Sequence, residues 1–208
     1  ISIQGNGILL DCNGHNLTSE QDVPQENPFS SEYPYEFSPA GIVLRSTSVS
    51  IVQNCRVNGY STGIYLFNSS RNSILNTNIS GARIPSYYGK VGNGILLSNS
   101  LYNTFSGISS LYNYYGIIIQ NASSFNTVFG ASLFSNEYGL YSPKYLSGWS
   151  HDVPYNVNNS YFNIDASFND EDGAVIQDMG AVISNLSAKY NEGAGMKIYG
   201  FDGSSLSG

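Results

Sequence analysis

Charge is scarce in this chain. Of 208 residues only 11% are charged, with 8 Lys and Arg against 15 Asp and Glu, for a net charge of -7. Nucleic acid and anionic membrane surfaces both attract basic patches, so neither is an expected partner. Hydrophobic residues reach 41%, yet no apolar run approaches the roughly 20 residues of a membrane span, and membrane insertion is not expected. Cysteine, methionine and tryptophan number 2, 2 and 1. Two cysteines cannot build a disulfide scaffold. Charged helix formers are few, which excludes a helix bundle and a coiled coil. In their place stand 33 Ser, 24 Asn, 22 Gly and 17 Tyr. Ile, Leu, Val and the aromatics are plentiful enough to exclude compositional disorder. One domain with a sizeable core is the expectation for this length.

The chain opens at Ile1 without Met, which reads as a removed leader or an excerpt of a longer protein. Residues 201–208, closing in Gly203-Ser204-Ser205-Leu206-Ser207-Gly208, read as a linker or tail.

A Gly followed by aliphatic residues keeps returning: Gly41-Ile-Val-Leu, Gly63-Ile-Tyr-Leu, Gly94-Ile-Leu-Leu, Gly116-Ile-Ile-Ile, Gly139-Leu-Tyr-Ser, Gly173-Ala-Val-Ile and Gly195-Met-Lys-Ile. The intervals are 22, 31, 22, 23, 34 and 22. Nine or ten residues after the Gly comes Asn-Ser/Thr-apolar, as Asn72-Ser-Ile, Asn103-Thr-Phe and Asn126-Thr-Val. A third apolar segment follows a few residues later. Three short strands joined by tight turns in about 22 residues leave no room for a crossover helix. Such a chain winds on itself, each coil hydrogen-bonding to the next, as a solenoid of parallel strands. Positions one and three after the Gly should face inward. They are apolar throughout except at Ser142. The Gly suits either a positive-φ turn or a close backbone approach. The in-phase Asn residues either stack as a ladder or face water as ordinary turn residues.

The run Asp11-Cys-Asn-Gly-His-Asn-Leu, followed by these repeats, resembles the right-handed parallel β-helix repeats of NosD-like surface and periplasmic proteins. The resemblance covers roughly residues 5–140 well and 160–200 more loosely. It implies an all-β, single-stranded, right-handed parallel β-helix of about seven coils of 22–23 residues, spanning residues 1–200. Residues 1–20 are a partial first coil, and 21–39, 81–93 and 142–160 are inserted loops. Solenoids of this kind host lyases, hydrolases, adhesins and passive stalks, so the repeat specifies fold more than function. Cys12 and Cys55 occupy similar positions of adjacent coils. Stacked strands bring them within disulfide reach, and they are either bridged in an oxidising compartment or buried as free thiols.

No catalytic constellation stands out. His15 and His151 lie apart, and no phosphate-binding or dinucleotide fingerprint is present. No Met/His/Cys cluster could hold copper, so neither metal nor cofactor is expected. Asp165 and the run Asn169-Asp170-Glu171-Asp172-Gly173 read as a solvated acidic turn rather than a full calcium loop. Residues 94–140 carry one acid, Glu137, and no Lys or Arg, which argues against a polysaccharide-cleaving groove there.

The outward position two after the Gly reads Val43, Tyr65, Leu96, Ile118, Tyr141, Val175 and Lys197. Such a stripe is either covered by the loops or a contact surface. Tyr65, Tyr87, Tyr88, Tyr115, Tyr138, Tyr141 and Trp149 are the candidate contact residues, because these side chains combine an apolar body with a polar tip. Six sequons, at Asn16, Asn68, Asn78, Asn121, Asn158 and Asn185, permit glycosylation. The composition fits an extracellular or cell-surface module without catalysis, serving structure, assembly into a filament or layer, or adhesion. Its partners would be copies of itself or another surface protein. The alternative is a carbohydrate-binding or polysaccharide-cleaving β-helix. Uncapped strand edges at the terminal coils favour end-to-end association.

Overall fold

The computed structural model describes residues 1–19, 40–82, 84–86, 89–143, 156–199 and 204–207, with the backbone alone at 84–86 and 89–91. Short apolar segments separated by Gly, Asn and Ser become strands of two to six residues. They are β1 (Ser2–Ile3), β2 (Leu9–Asp11), β3 (Asn16–Thr18), β4 (Ala40–Arg45), β5 (Ile51–Gln53), β6 (Arg56–Asn58), β7 (Thr62–Phe67), β8 (Ser73–Leu75) and β9 (Asn78–Ser80). β10 (Ile84–Ser86) and β11 (Gly89–Val91) form an antiparallel hairpin inside the first long interval. Then follow β12 (Asn93–Ser98), β13 (Thr104–Ser106), β14 (Ser109–Leu111), β15 (Tyr115–Gln120), β16 (Thr127–Phe129), β17 (Tyr138–Ser142), β18 (Ser160–Asp165), β19 (Ala174–Ile176), β20 (Val182–Ser187), β21 (Met196–Ile198) and β22 (Ser205–Ser207).

Successive coils contribute one strand to each of two long faces, and the first four coils contribute one to a third. Sheet A runs β1-β4-β7-β12-β15-β17-β19-β21, and sheet B runs β2-β5-β8-β13-β16-β18-β20-β22. A third face holds β3, β6, β9 and β14. All neighbours within these faces pair parallel, and the chain is a right-handed parallel β-helix. Ser205–Ser207 extends sheet B by pairing with β20. Main-chain pairing needs no apolar side chain, so a Gly/Ser-rich segment that reads as a loose tail joins the sheet.

The core is a set of columns. Ile42, Ile64, Ile95, Ile117, Leu140, Ala174 and Met196 are register partners on sheet A. Val52, Ile74, Phe105, Val128, Tyr161 and Ile183 form the matching column on sheet B, all buried. The repeat Gly stands where sheet A meets the third face, and close approach is its purpose. A Cβ on Gly116 would lie 2.5 Å from the carbonyl oxygen of Gly139, and one on Gly63 would lie 2.2 Å from Cγ2 of Ile79.

The turns are stacked too. Asn72, Asn103, Asn126 and Asn159 are buried and form a ladder, each Nδ2 donating to the next Oδ1 at 3.1–3.2 Å. Each Oδ1 also accepts the backbone N–H of the preceding rung at 2.8–2.9 Å. A second ladder joins Asn113, Asn136, Asn169 and Asn191 at 3.1–3.3 Å. A third carries Thr47, Ser69, Ser100, Ser123 and Asn156. These ladders satisfy turn groups that no strand pairs, as burial requires.

Candidate functional site

The corner where the third face enters sheet A places the residues just before each repeat Gly one above another. Parallel register there stacks Tyr115 on Tyr138. Their rings lie 5.4 Å apart at 26°. Tyr114 meets Tyr115 edge-on at 4.7 Å, and Tyr141 lies 4.8 Å from Tyr115 and 5.4 Å from Tyr138. All four side chains are half-buried. Offset and edge-on rings at these separations are the favoured arrangements of aromatic pairs, and such packing pre-organises the cluster.

Later coils bring carboxylates to the same corner. The N–H of Glu171 donates to the carbonyl of Glu137 at 2.8 Å, so these two acids stand in one column. Asp172 is nearly buried, accepts the Ala194 N–H at 2.8 Å, and pairs with Lys197 at 2.7 Å. Lys197 follows Tyr141 and Val175 in the outward row.

The environment holds the phenols in their neutral form. Burial, joined by Tyr114, Glu171, Asp172 and Tyr141, pushes the Tyr138 phenol up to about 12. Burial and then Glu137 raise Tyr114. Burial and then Asp172 raise Tyr141, with Lys197 opposing. The hydrogen bond to Asp172 raises the Lys197 ammonium. Among the described residues the cluster therefore presents neutral aromatic rings beside the carboxyl groups of Glu137, Glu171 and Asp172, with Lys197 paired to Asp172.

The other sequence candidates fall elsewhere. Tyr65 is buried with Leu96 and Ile118 in the outward row, so this stretch of the stripe is closed to solvent. Tyr87, Tyr88, Trp149 and His151 lie outside the described residues. Cys12 and Cys55 form a disulfide with Cα atoms 4.8 Å apart. All six sequon asparagines are exposed. Asp165 accepts a hydrogen bond from Ser167 at 2.6 Å. Among the described residues no three His, Cys, Asp or Glu side chains converge as a metal site. Sequence reasoning missed the contribution of Glu137, Glu171, Asp172 and Lys197 to the tyrosine corner. It also missed the exposed stacks Tyr102–Phe125 and Phe168–Tyr190, with centroids 4.9 and 5.0 Å apart. The aromatic members sit at left-handed turn positions, with φ of 57–58°.

A family profile described as periplasmic copper-binding protein (NosD) matches residues 1–167. The chain belongs to the NosD family. Among solved structures it is similar to the periplasmic alginate epimerase AlgG, with a TM-score of 0.53, 15% identity, and coverage of 78% of this chain and 42% of that chain. A point mutant of the same enzyme gives 0.52, 16%, 72% and 32%. At such identity the likeness shows the fold, and this chain spans less than half the length of those proteins. No curated protein matches the sequence. The periplasmic description of the NosD family fits a compartment outside the cytosol, where disulfides persist.

Copper, which the family description names, is not matched by the donors described here. Copper selects clustered Cys, Met and His ligands. Both cysteine sulfurs are bonded to each other. His15 is exposed in a turn. Met196 lies in the interior column of sheet A, and Met179 bridges to Val157 elsewhere in the coil.

Proposed function

We propose that this NosD-family chain is a non-catalytic module of the cell envelope that binds carbohydrate at the tyrosine corner. The observation that carries the reading is the packed set Tyr114, Tyr115, Tyr138 and Tyr141, half-exposed on a rigid solenoid. Tyrosine rings offer an apolar face to the C–H surface of a sugar and a hydroxyl to its polar rim. Neighbouring carboxylates accept sugar hydroxyls. The same geometry speaks for binding over proton transfer. The phenols are held neutral and Lys197 is held charged, so none is poised as a base near neutral pH. The polysaccharide enzyme of similar fold supports the class of ligand.

Affinity electrophoresis through gels containing soluble polysaccharides tests this. Wild-type protein should be retarded by at least one. Tyr115→Ala and Tyr138→Ala should each weaken that retardation by about three- to tenfold, the value of one aromatic contact. Unretarded migration of the wild type through every gel would overturn the reading.

A further inference from the structure

We propose that one sugar ring of a polysaccharide chain lodges between Tyr112 and Phe168, on the same turn as the tyrosine corner, an inference that rests on the carbohydrate-binding role proposed above. The residue before each asparagine of the second ladder stands in one column: Tyr112, Ser135, Phe168 and Tyr190. All four have left-handed backbone, with φ of 53–58°. Such backbone costs an ordinary side chain stability and favours Asn and Gly. The turn after sheet A meets it with Asn68, Asn99 and Asn121, at φ of 49–52°. Here it carries three aromatic rings instead, and Tyr112, Phe168 and Tyr190 are 61%, 57% and 76% exposed. Rings this open return little core packing for their strained backbone, and strain of that kind points to a surface with a use.

Ser135 interrupts the column. Phe168 and Tyr190 stack at 5.0 Å, close to one coil spacing. Tyr112 and Phe168 are two coils apart, a backbone separation of about 9.5 Å. Ring pairs pack at centroid distances from about 4.5 Å, so the slot is one ring thick. Its floor is Ser135, half-buried, and Phe134 stands beside it, edge-on to Phe168 at 6.4 Å. A pyranose suits this slot. Its two C–H faces meet aromatic walls, and its hydroxyls meet the polar tips of Ser135 and Tyr112. Tyr114 follows Tyr112 by two residues, at most about 7 Å of chain, across the buried Asn113. A glycan seated in the slot therefore continues onto the stack of Tyr115 and Tyr138. The ligand is a chain gripped along its length rather than a single terminal sugar.

The experiment runs gels of hydroxyethylcellulose, galactomannan and alginate, with urea midpoints measured beside them. In whichever gel retards the wild type, Ser135→Tyr should weaken retardation by about tenfold, because the new ring occupies the slot. Its urea midpoint should match or exceed wild type, since Phe168 and Tyr190 already stand at that backbone and the added ring completes their stack. Weaker binding with undiminished stability separates a binding slot from mere packing. Phe168→Asn suits the left-handed backbone and removes one wall, so retardation should fall about three- to tenfold with a midpoint near wild type. Ser135→Gly keeps both slot and backbone, and its retardation should stay within about twofold of wild type. Folded Ser135→Tyr or Phe168→Asn protein retarded as strongly as wild type overturns the slot and leaves the tyrosine corner standing. An equal loss in Ser135→Gly and Ser135→Tyr overturns it too, since Gly fills nothing. Wild-type protein held by no gel overturns the carbohydrate role and this inference with it. Phe168→Asn decides the matter even if Ser135→Tyr fails to fold.

Discussion

The hydroxyl of Tyr161 donates to the carboxylate of Asp178 at 2.5 Å inside the coil, and both side chains are withdrawn from water. Ser142 donates to the other carboxylate oxygen at 2.5 Å, and Asn159, the end of the first asparagine ladder, donates at 3.0 Å. The one polar residue in the inward row of sheet A is thus explained by a partner 36 residues later in the chain.

Burial raises the Asp178 carboxyl above its ordinary 3.8, although hydrogen bonds from Ser142, Tyr161, Asn159 and Asn156 oppose it. The folded chain therefore holds this proton more tightly than the unfolded chain does. The stabilising contribution is complete below the unfolded value and is lost as pH rises through the folded one. Urea midpoints measured across the acid range should show this decline in wild type and lose it in Asp178→Asn. Parallel curves for the two proteins would refute the assignment. Asp178→Ala should cost more at every pH, because each buried donor left without an acceptor costs about 1–3 kcal/mol.

Asn103 tests the ladder. Its Oδ1 accepts two bonds from Asn72, and its Nδ2 donates to the Ser69 carbonyl at 3.0 Å. Asn103→Ala orphans these partners in a dry turn, so a loss of about 3 kcal/mol or more is expected from urea unfolding. Asn99 also bonds to a ladder neighbour, Asn68 at 3.3 Å, but both are exposed. Water replaces that partner, and Asn99→Gly, which keeps the left-handed backbone at φ of 49°, should cost about 1 kcal/mol or less. Equal losses at the two positions would refute a special role for the buried ladder.

The columns of the core were legible because Gly-Ile-x-Leu repeats in register with itself, and Asn72, Asn103 and Asn126 announce one ladder by the Ser/Thr-apolar pair that follows them. The ladder of Asn113, Asn136, Asn169 and Asn191 has no such flag. Its spacings of 23, 33 and 22 nevertheless track the Gly intervals, which was the available signal. The acidic border of the tyrosines was hidden for a different reason. Residues 94–140 hold a single acid along the chain, yet winding carries Glu171 onto Glu137. Charge in a solenoid has to be counted by column. Ser142 gave no hint of its partner, since Asp178 lies outside the repeat pattern that exposes the core.

Two glycines separate close approach from turn geometry. Gly116 leaves 2.5 Å between a built Cβ and the Gly139 carbonyl oxygen, and 3.0 Å to Nδ2 of the buried Asn136. Gly116→Ala must part adjacent coils, and a loss of about 3 kcal/mol or more is expected from its urea midpoint. Gly130 has φ of 61°, and a Cβ built there would meet nothing nearer than the Gly107 nitrogen at 4.0 Å. It stands in the turn column that Asn54, Asn76, Asn163 and Asn185 fill at φ of 46–54°. Gly130→Asn should stay within about 1 kcal/mol of wild type, whereas Gly130→Val should lose about 1–2 kcal/mol, because a β-branched side chain resists left-handed backbone. A Gly116→Ala protein as stable as Gly130→Asn would refute the close-approach reading.

Alkaline titration followed by phenolate absorbance reads the tyrosine corner without any ligand. Tyr138 should ionise near 12, against an ordinary value of 10. Its proton is held more tightly in the folded protein, so its contribution to stability is present below pH 10 and is lost as pH rises through 12. Tyr138→Phe should remove one late-ionising phenol from the curve and flatten the alkaline loss of stability. Glu171→Gln removes a carboxylate that raises both Tyr138 and Tyr114, so their titration should move toward lower pH. The effect should shrink in about 1 M salt to the extent that these half-buried groups feel screening. If all described phenols ionised together near 10, the cluster would be solvated and open. The packed, negatively bordered surface on which carbohydrate binding was proposed would then not exist.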